Sequence, residues 1–105
     1  MRREEFNMAF EAVAASQTAQ VMGPNGMKGD ILERVIIIPT TTSPGAVTII
    51  NGSGGTATVI FDGGATSVPS LAPIVVTLGF ICGVAGGWGI TTGANVRVVC
   101  IGRFS

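Results

Sequence analysis

The stretch AVTIINGSGGTATVIF, residues 46–61, predicts a β-hairpin. Two runs rich in Val, Ile and Thr flank the turn sequence NGSGG at residues 51–55. β-Branched residues favour strands, and glycines adopt the positive φ angles that tight hairpin connections require. The stretch therefore indicates two antiparallel neighbours in a sheet.

The same strand-like composition continues on both sides of the hairpin. ILERVIII at residues 31–38 precedes it, and further strand-like runs follow at 74–78, 80–85, 86–94 (in part) and 95–104. We count seven or eight short strands at close, regular spacing, with no helical pattern after residue 22. This pattern is typical of an all-β antiparallel sandwich or barrel.

The N-terminal segment differs from everything that follows it. Residues 4–21 place apolar side chains at helical spacing: Phe6, Ala9, Phe10, Val13 and Ala14. This spacing predicts a short amphipathic helix or a docking arm, and the glycine-rich GPNGMKGD at residues 23–30 predicts a flexible hinge after it. We therefore expect an arm and hinge over residues 1–28 and a sandwich domain over residues 29–105.

Charge is scarce and unevenly distributed. Nine of the twelve charged residues lie in residues 1–34, and only Asp62, Arg97 and Arg103 follow. No cluster of lysine and arginine is present to neutralise phosphates, which argues against a nucleic-acid partner. A small free monomer normally covers itself with mixed charge, so we expect other protein chains to cover part of this surface, including further copies of this chain.

The last strand has two apolar faces. Val96, Val98, Cys100 and Phe104 form one face, and Val99 and Ile101 lie between Arg97 and Arg103 on the other. A strand with two apolar faces is covered on both sides, and in so small a domain the second cover is expected to be another chain. Trp88, between two glycines, either contacts a partner or fills the end of the core. The predicted partner-interface residues are Phe6, Phe10, Val13, Trp88, Arg97 and Arg103.

The residue inventory argues against an enzyme. The chain has no histidine, and Asp62 is its only carboxylate side chain after residue 34, so neither a serine triad nor a nearby carboxylate pair is available. We predict no catalytic residues, no cofactor, no metal and no small-molecule substrate. Cys82 and Cys100 either pair or are buried as small apolar side chains, and two cysteines without histidine make no zinc site.

A membrane location is the weaker possibility. Residues 63–96 carry no charge, but Pro69 and Pro73 interrupt the apolar run and leave about half of the ~20 residues that a spanning helix needs. We therefore keep a small membrane-associated protein only as an alternative.

The sequences GDILERVIIIPTTTSPGAVTIINGSGG and WGITTGANVRVVCIGRF resemble small β-rich virion proteins of tailed bacteriophages. These are the capsid cement or decoration proteins and related head-fibre and tail proteins. The resemblance covers about residues 29–105. It implies a jelly-roll-like sandwich, a homo-oligomer, with a trimer favoured, and a location on the capsid surface that bridges major capsid proteins. The resemblance assigns no function to any individual residue of this chain. A tail or fibre component that binds a host surface is the alternative within the same class.

Overall fold

The computed structural model describes residues 8–105, which form two four-stranded antiparallel sheets. The strands are β1 (Ala9–Val13), β2 (Gln20–Val21), β3 (Ile31–Pro39), β4 (Val47–Asn51), β5 (Ala57–Phe61), β6 (Ile74–Ile81), β7 (Trp88–Thr92) and β8 (Val96–Arg103). The first sheet has the order β1-β8-β3-β6 and the second has the order β2-β7-β4-β5.

The strand pairs are nested in sequence. β4 pairs with β5, β3 with β6, β2 with β7 and β1 with β8, all antiparallel. The chain thus forms one long antiparallel hairpin whose tip is the β4–β5 turn. This hairpin folds so that β4–β5 and β2–β7 lie in one sheet and β3–β6 and β1–β8 lie in the other. This is the jelly-roll arrangement of eight strands, and it confirms the predicted all-β, jelly-roll-like antiparallel sandwich.

The hairpin that the sequence predicted is present. Asn51 donates its backbone N–H to the Thr56 carbonyl at 3.0 Å, and Gly55 donates to the Gly52 carbonyl at 3.2 Å. Gly52 and Gly54 have φ angles of 85° and 70°, which an L side chain rarely adopts. The glycines therefore close the turn as expected.

The alternative of a helix over residues 4–21 is wrong for the described part of that segment. Residues 9–13 form β1, which pairs with β8, and Gln20–Val21 form β2, which pairs with β7. The sandwich therefore includes strands N-terminal to the boundary that we predicted between residues 28 and 29. A helix here would leave one edge of each sheet without its outer strand. Phe6 lies outside the described residues.

The core lies between the two sheets. Its buried apolar side chains come from both: Val13, Leu32, Val35, Ile37, Val96, Val98 and Cys100 from the first sheet, and Val47, Ile49, Trp88 and Ile90 from the second, with Met22 and Cys82 beside them. Inward and outward positions alternate along β8 as predicted. The sheets are held together by burial of these side chains.

Asp30 fixes the loop before β3 and the C-terminus together. Its carboxylate accepts hydrogen bonds from the Ser105 hydroxyl at 2.6 Å, the Ser105 N–H at 3.0 Å and the Met27 N–H at 3.1 Å. The Ser105 carbonyl in turn accepts from the N–H groups of Asn25 and Gly26, each at 2.9 Å. The glycine-rich segment predicted as a flexible hinge is thus hydrogen-bonded to the body of the sandwich.

Candidate interaction surface

The outward side of the first sheet carries an apolar surface, which we call the outer face. In an antiparallel pair, residues directly opposite each other point to the same side of the sheet. The pairing register therefore places Ala12, Val99, Ile36 and Val75 in one row that crosses all four strands. The next row contains Phe10, Ile101, Arg34 and Thr77.

The outer face is accessible in the single chain. The side chain of Phe10 is 75% exposed and that of Val75 is 58% exposed, while Ile36, Val99 and Ile101 are half-buried among their neighbours. Large exposed aromatic side chains that sit in a contiguous apolar patch mark interaction sites on soluble proteins. The outer face is thus the surface that the two-faced β8 strand predicted.

Three arginines accompany the apolar rows. Arg34 lies within the second row, Arg97 pairs with Ile38 at one end of β8, and Arg103 pairs with Ile31 at the other end. Of the acidic residues that the structure describes, Glu11 and Asp30 accept hydrogen bonds within the fold, Asp62 follows β5 in the other sheet, and Glu33 is half-buried next to Arg34 at the β3 bulge. Arg34 and Arg97 are exposed, so the outer face can meet a partner surface that has carboxylates among apolar groups.

The predicted interface residues do not form one group. Phe10 and Arg97 are exposed on the outer face, and Arg103 is half-buried at its end. Val13 is fully buried in the core. Its register partner is Val98, an inward-facing residue of β8, so Val13 packs between the sheets and not against a partner.

Trp88 also lies in the core. Its side chain is 3% exposed, and its indole N–H donates to the Asp30 carbonyl at 3.2 Å. The structure therefore selects the second of the two positions that the sequence allowed for Trp88. The flanking glycines, Gly87 and Gly89, are buried as well, which is consistent with close packing at this end of the sandwich.

Sequence reasoning missed the part of the outer face that β3 and β6 contribute. Ile36 and Val75 complete the apolar row, and Arg34 stands beside them. Residues 35–38 of β3 are all apolar, which indicated that Ile36 would need a contact on the outer side, because a strand that is apolar on both faces is packed against other groups on both faces. Nothing local to β6 indicates that Val75 points away from the core.

The described residues also include an open cleft between the sheets at the β5–β6 side. It has a volume of about 370 Å³ and is lined by uncharged side chains that include Ile60, Thr58 and Phe80, with Trp88 contributing to its wall. Within residues 8–105 no group of three or more His, Cys, Asp or Glu side chains is placed to hold a metal ion. The cleft thus offers apolar contacts, the hydroxyl groups of Thr56 and Thr58, and the carboxamide of Asn51.

The two cysteines are free and buried. Burial, reinforced by the nearby Glu11 carboxylate, raises the pKa of the Cys100 thiol from an ordinary value of 9.0 to about 12. Cys100 therefore remains a protonated thiol at neutral pH, which is the inert form. The sequence left open whether Cys82 and Cys100 form a disulfide or are buried as small apolar side chains. The structure has two free, buried thiols.

Family models of known proteins, curated proteins and solved structures contain no match to this chain. Within residues 8–105 there is no helix with the length and hydropathy needed to cross a membrane.

Proposed function

We propose that this chain is a structural virion protein that attaches to the capsid shell of a tailed bacteriophage, as a cement or decoration protein, through its outer face. The observation that carries the proposal is the apolar row of Ala12, Val99, Ile36 and Val75 across the whole sheet, with Phe10 exposed next to it. A broad apolar surface of this kind suits a protein that covers other proteins.

The shape of the surface also supports a structural role. Two neighbouring rows of side chains across a sheet form a shallow surface, whereas small-molecule sites are concave and enclose most of the ligand. Jelly rolls occur in viral capsid domains, in lectins and in cupins. Because a fold of this kind hosts many functions, the weight of the proposal rests on the outer face and not on the topology.

The arginines determine which shell surface fits. Arg34 and Arg97 are exposed beside the apolar rows, so the receiving surface on the major capsid protein should contain carboxylates around an apolar centre. Exposed ion pairs of this kind are screened by salt, with a Debye length of about 8 Å at physiological ionic strength. We therefore expect attachment to weaken with salt but to persist, because the apolar contacts are not screened.

Attachment is tested by adding the purified chain to phage particles that lack it and sedimenting the particles. The Phe10→Ser variant removes an exposed aromatic anchor, and loss of such an anchor often weakens binding by about 2 kcal/mol, or roughly thirtyfold. Val59→Ser is the matched control, because Val59 is 52% exposed but lies on the second sheet, opposite the half-buried Thr48. Normal attachment of Phe10→Ser, or equal losses in both variants, would remove the outer face from the proposal.

A further inference from the structure

The sandwich has four edge strands, and β6 differs from the other three. The edges are β1 and β6 in the first sheet and β2 and β5 in the second. β2 has two residues, β1 has five and contains Glu11, and β5 has five and is followed directly by Asp62. β6 has eight residues, IVVTLGFI, none of them charged.

Natural proteins protect exposed strand edges with charges, prolines, bulges or short length. Within its eight residues β6 has only one of these devices, a bulge, and Pro73 directly precedes it. Its pairing with β3 shifts between Thr77 and Phe80, where Gly79 has a φ angle of 71°. The bulge leaves Ile74–Thr77 in regular pairing with β3, and one backbone edge of this segment faces away from the sheet.

The side chains of this segment are incompletely covered. The inward-facing Ile74, Val76 and Leu78 pack against the core but are only partly buried. Val75 ends the apolar row of the outer face and is 58% exposed. A strand added beside β6 would therefore bury apolar surface on both sides of the sheet in addition to pairing the backbone.

The charge distribution around β6 indicates which partner can supply the added strand. Residues 63–96, which contain β6 and the loops on either side of it, carry no charge. Two copies of this edge can meet without charge repulsion, whereas each copy of the outer face presents the exposed Arg34 and Arg97. A two-fold contact places the same patch on both partners, so an uncharged, apolar patch is self-compatible.

We infer that β6 pairs antiparallel with β6 of a second copy of this chain across a two-fold axis. The two first sheets then form one continuous sheet of eight strands, and Val75 of each copy extends the apolar row towards the other. With the axis perpendicular to the sheet, both outer faces point to the same side. The dimer thus leaves the outer face free, and the inference does not depend on the proposed attachment to a shell.

The test is sedimentation of the full chain alone, with no phage particles present, over a range that reaches tens of micromolar. The wild-type chain should sediment as a dimer. Val75→Lys places a charge on each copy beside the shared edge and should weaken the dimer about tenfold or more, because like charges on neighbouring strands repel. Val21→Lys on the β2 edge, on the opposite side of the sandwich from β6, at a side chain that is 45% exposed, should leave the dimer intact.

Thr77→Lys provides a second variant on the same edge, since Thr77 is exposed and pairs with Arg34. Circular dichroism first establishes that each variant is folded. Slower hydrogen exchange of the amides of residues 74–78 in the wild-type dimer than in the lysine variants would support the β6 contact. A monomeric wild-type chain, a trimer mass, or equal weakening by Val21→Lys would overturn it. These measurements use no shell, so they fail or succeed separately from the attachment assay.

Discussion

Trp88→Ala should destabilise the free protein strongly. Trp88 opens β7, opposite Asn51 of β4, and its side chain is 3% exposed. Emptying a buried tryptophan site costs about 3–5 kcal/mol of unfolding free energy. The lost indole hydrogen bond adds little, because the Asp30 carbonyl keeps its bond from the Cys82 N–H at 2.7 Å.

That loss is large compared with the stability of a small domain, which is about 5–15 kcal/mol. At about 4 °C or more per kcal/mol for a domain of this size, the melting temperature should fall by at least roughly 12 °C. Urea unfolding followed by circular dichroism measures the change, since the variant has no tryptophan fluorescence. Phe10→Ser is the control and should change the free energy by less than about 0.5 kcal/mol, because Phe10 is exposed.

A loss below about 1 kcal/mol in Trp88→Ala would contradict the core placement of this side chain. Trp88→Phe separates the two contributions, because phenylalanine keeps most of the apolar volume and lacks the N–H donor. We expect its loss of stability to lie between those of the wild type and Trp88→Ala. A loss as large as that of the alanine variant would indicate that the hydrogen bond to Asp30 matters more than packing.

Three further predictions concern the Asp30 carboxylate and the Cys100 thiol. Asp30→Asn should lower the free energy of unfolding by about 2 kcal/mol, because hydrogen bonds to a buried charged group are strong. A Ser105→Ala variant, which loses only the hydroxyl donor, should lower the free energy of unfolding by less. Equal urea midpoints for Asp30→Asn and the wild type would contradict the role of the carboxylate. Native Cys100 should react with iodoacetamide about a thousandfold more slowly than an unfolded cysteine near pH 8, because its pKa of about 12 lies three units above 9.0. Mass spectrometry of the labelled peptide measures the rate. Rapid labelling of Cys100 in the native chain would contradict its burial. The raised pKa of Cys100 also predicts that its contribution to the free energy of unfolding is fully present below about pH 9 and falls between about pH 9 and 12, by up to about 1.4 kcal/mol per pH unit, since the unfolded chain loses the proton first. The free energy of unfolding of Cys100→Ala should therefore depend less on pH in this range. An unchanged dependence in this variant would exclude Cys100 as the cause.

Much of the fold could be predicted from local sequence. The β4–β5 hairpin follows from β-branched runs on either side of NGSGG, and the alternation of β8 indicates its two faces. These signals are local, because they depend on neighbouring residues and on turns that glycine permits. They also indicated the outer face, through the apolar residues between Arg97 and Arg103.

The missed features all depend on contacts between distant residues. β1 is a strand because it pairs with β8 about ninety positions away, and its residues were equally compatible with helical spacing. The Asp30 carboxylate acquires its role from Ser105 at the other end of the chain. Trp88 is buried because β7 lies between β2 and β4, and its glycine neighbours carry no information about that.

The most direct test of the proposed function is the number of copies of this chain in purified phage particles. Quantitative mass spectrometry gives the ratio of this chain to the major capsid protein in particles purified by density gradient. We expect a ratio within a small factor of one, because each outer face covers a repeated site on the shell. A few copies per particle would indicate a tail or fibre component instead, and absence from purified particles would contradict a role in the virion.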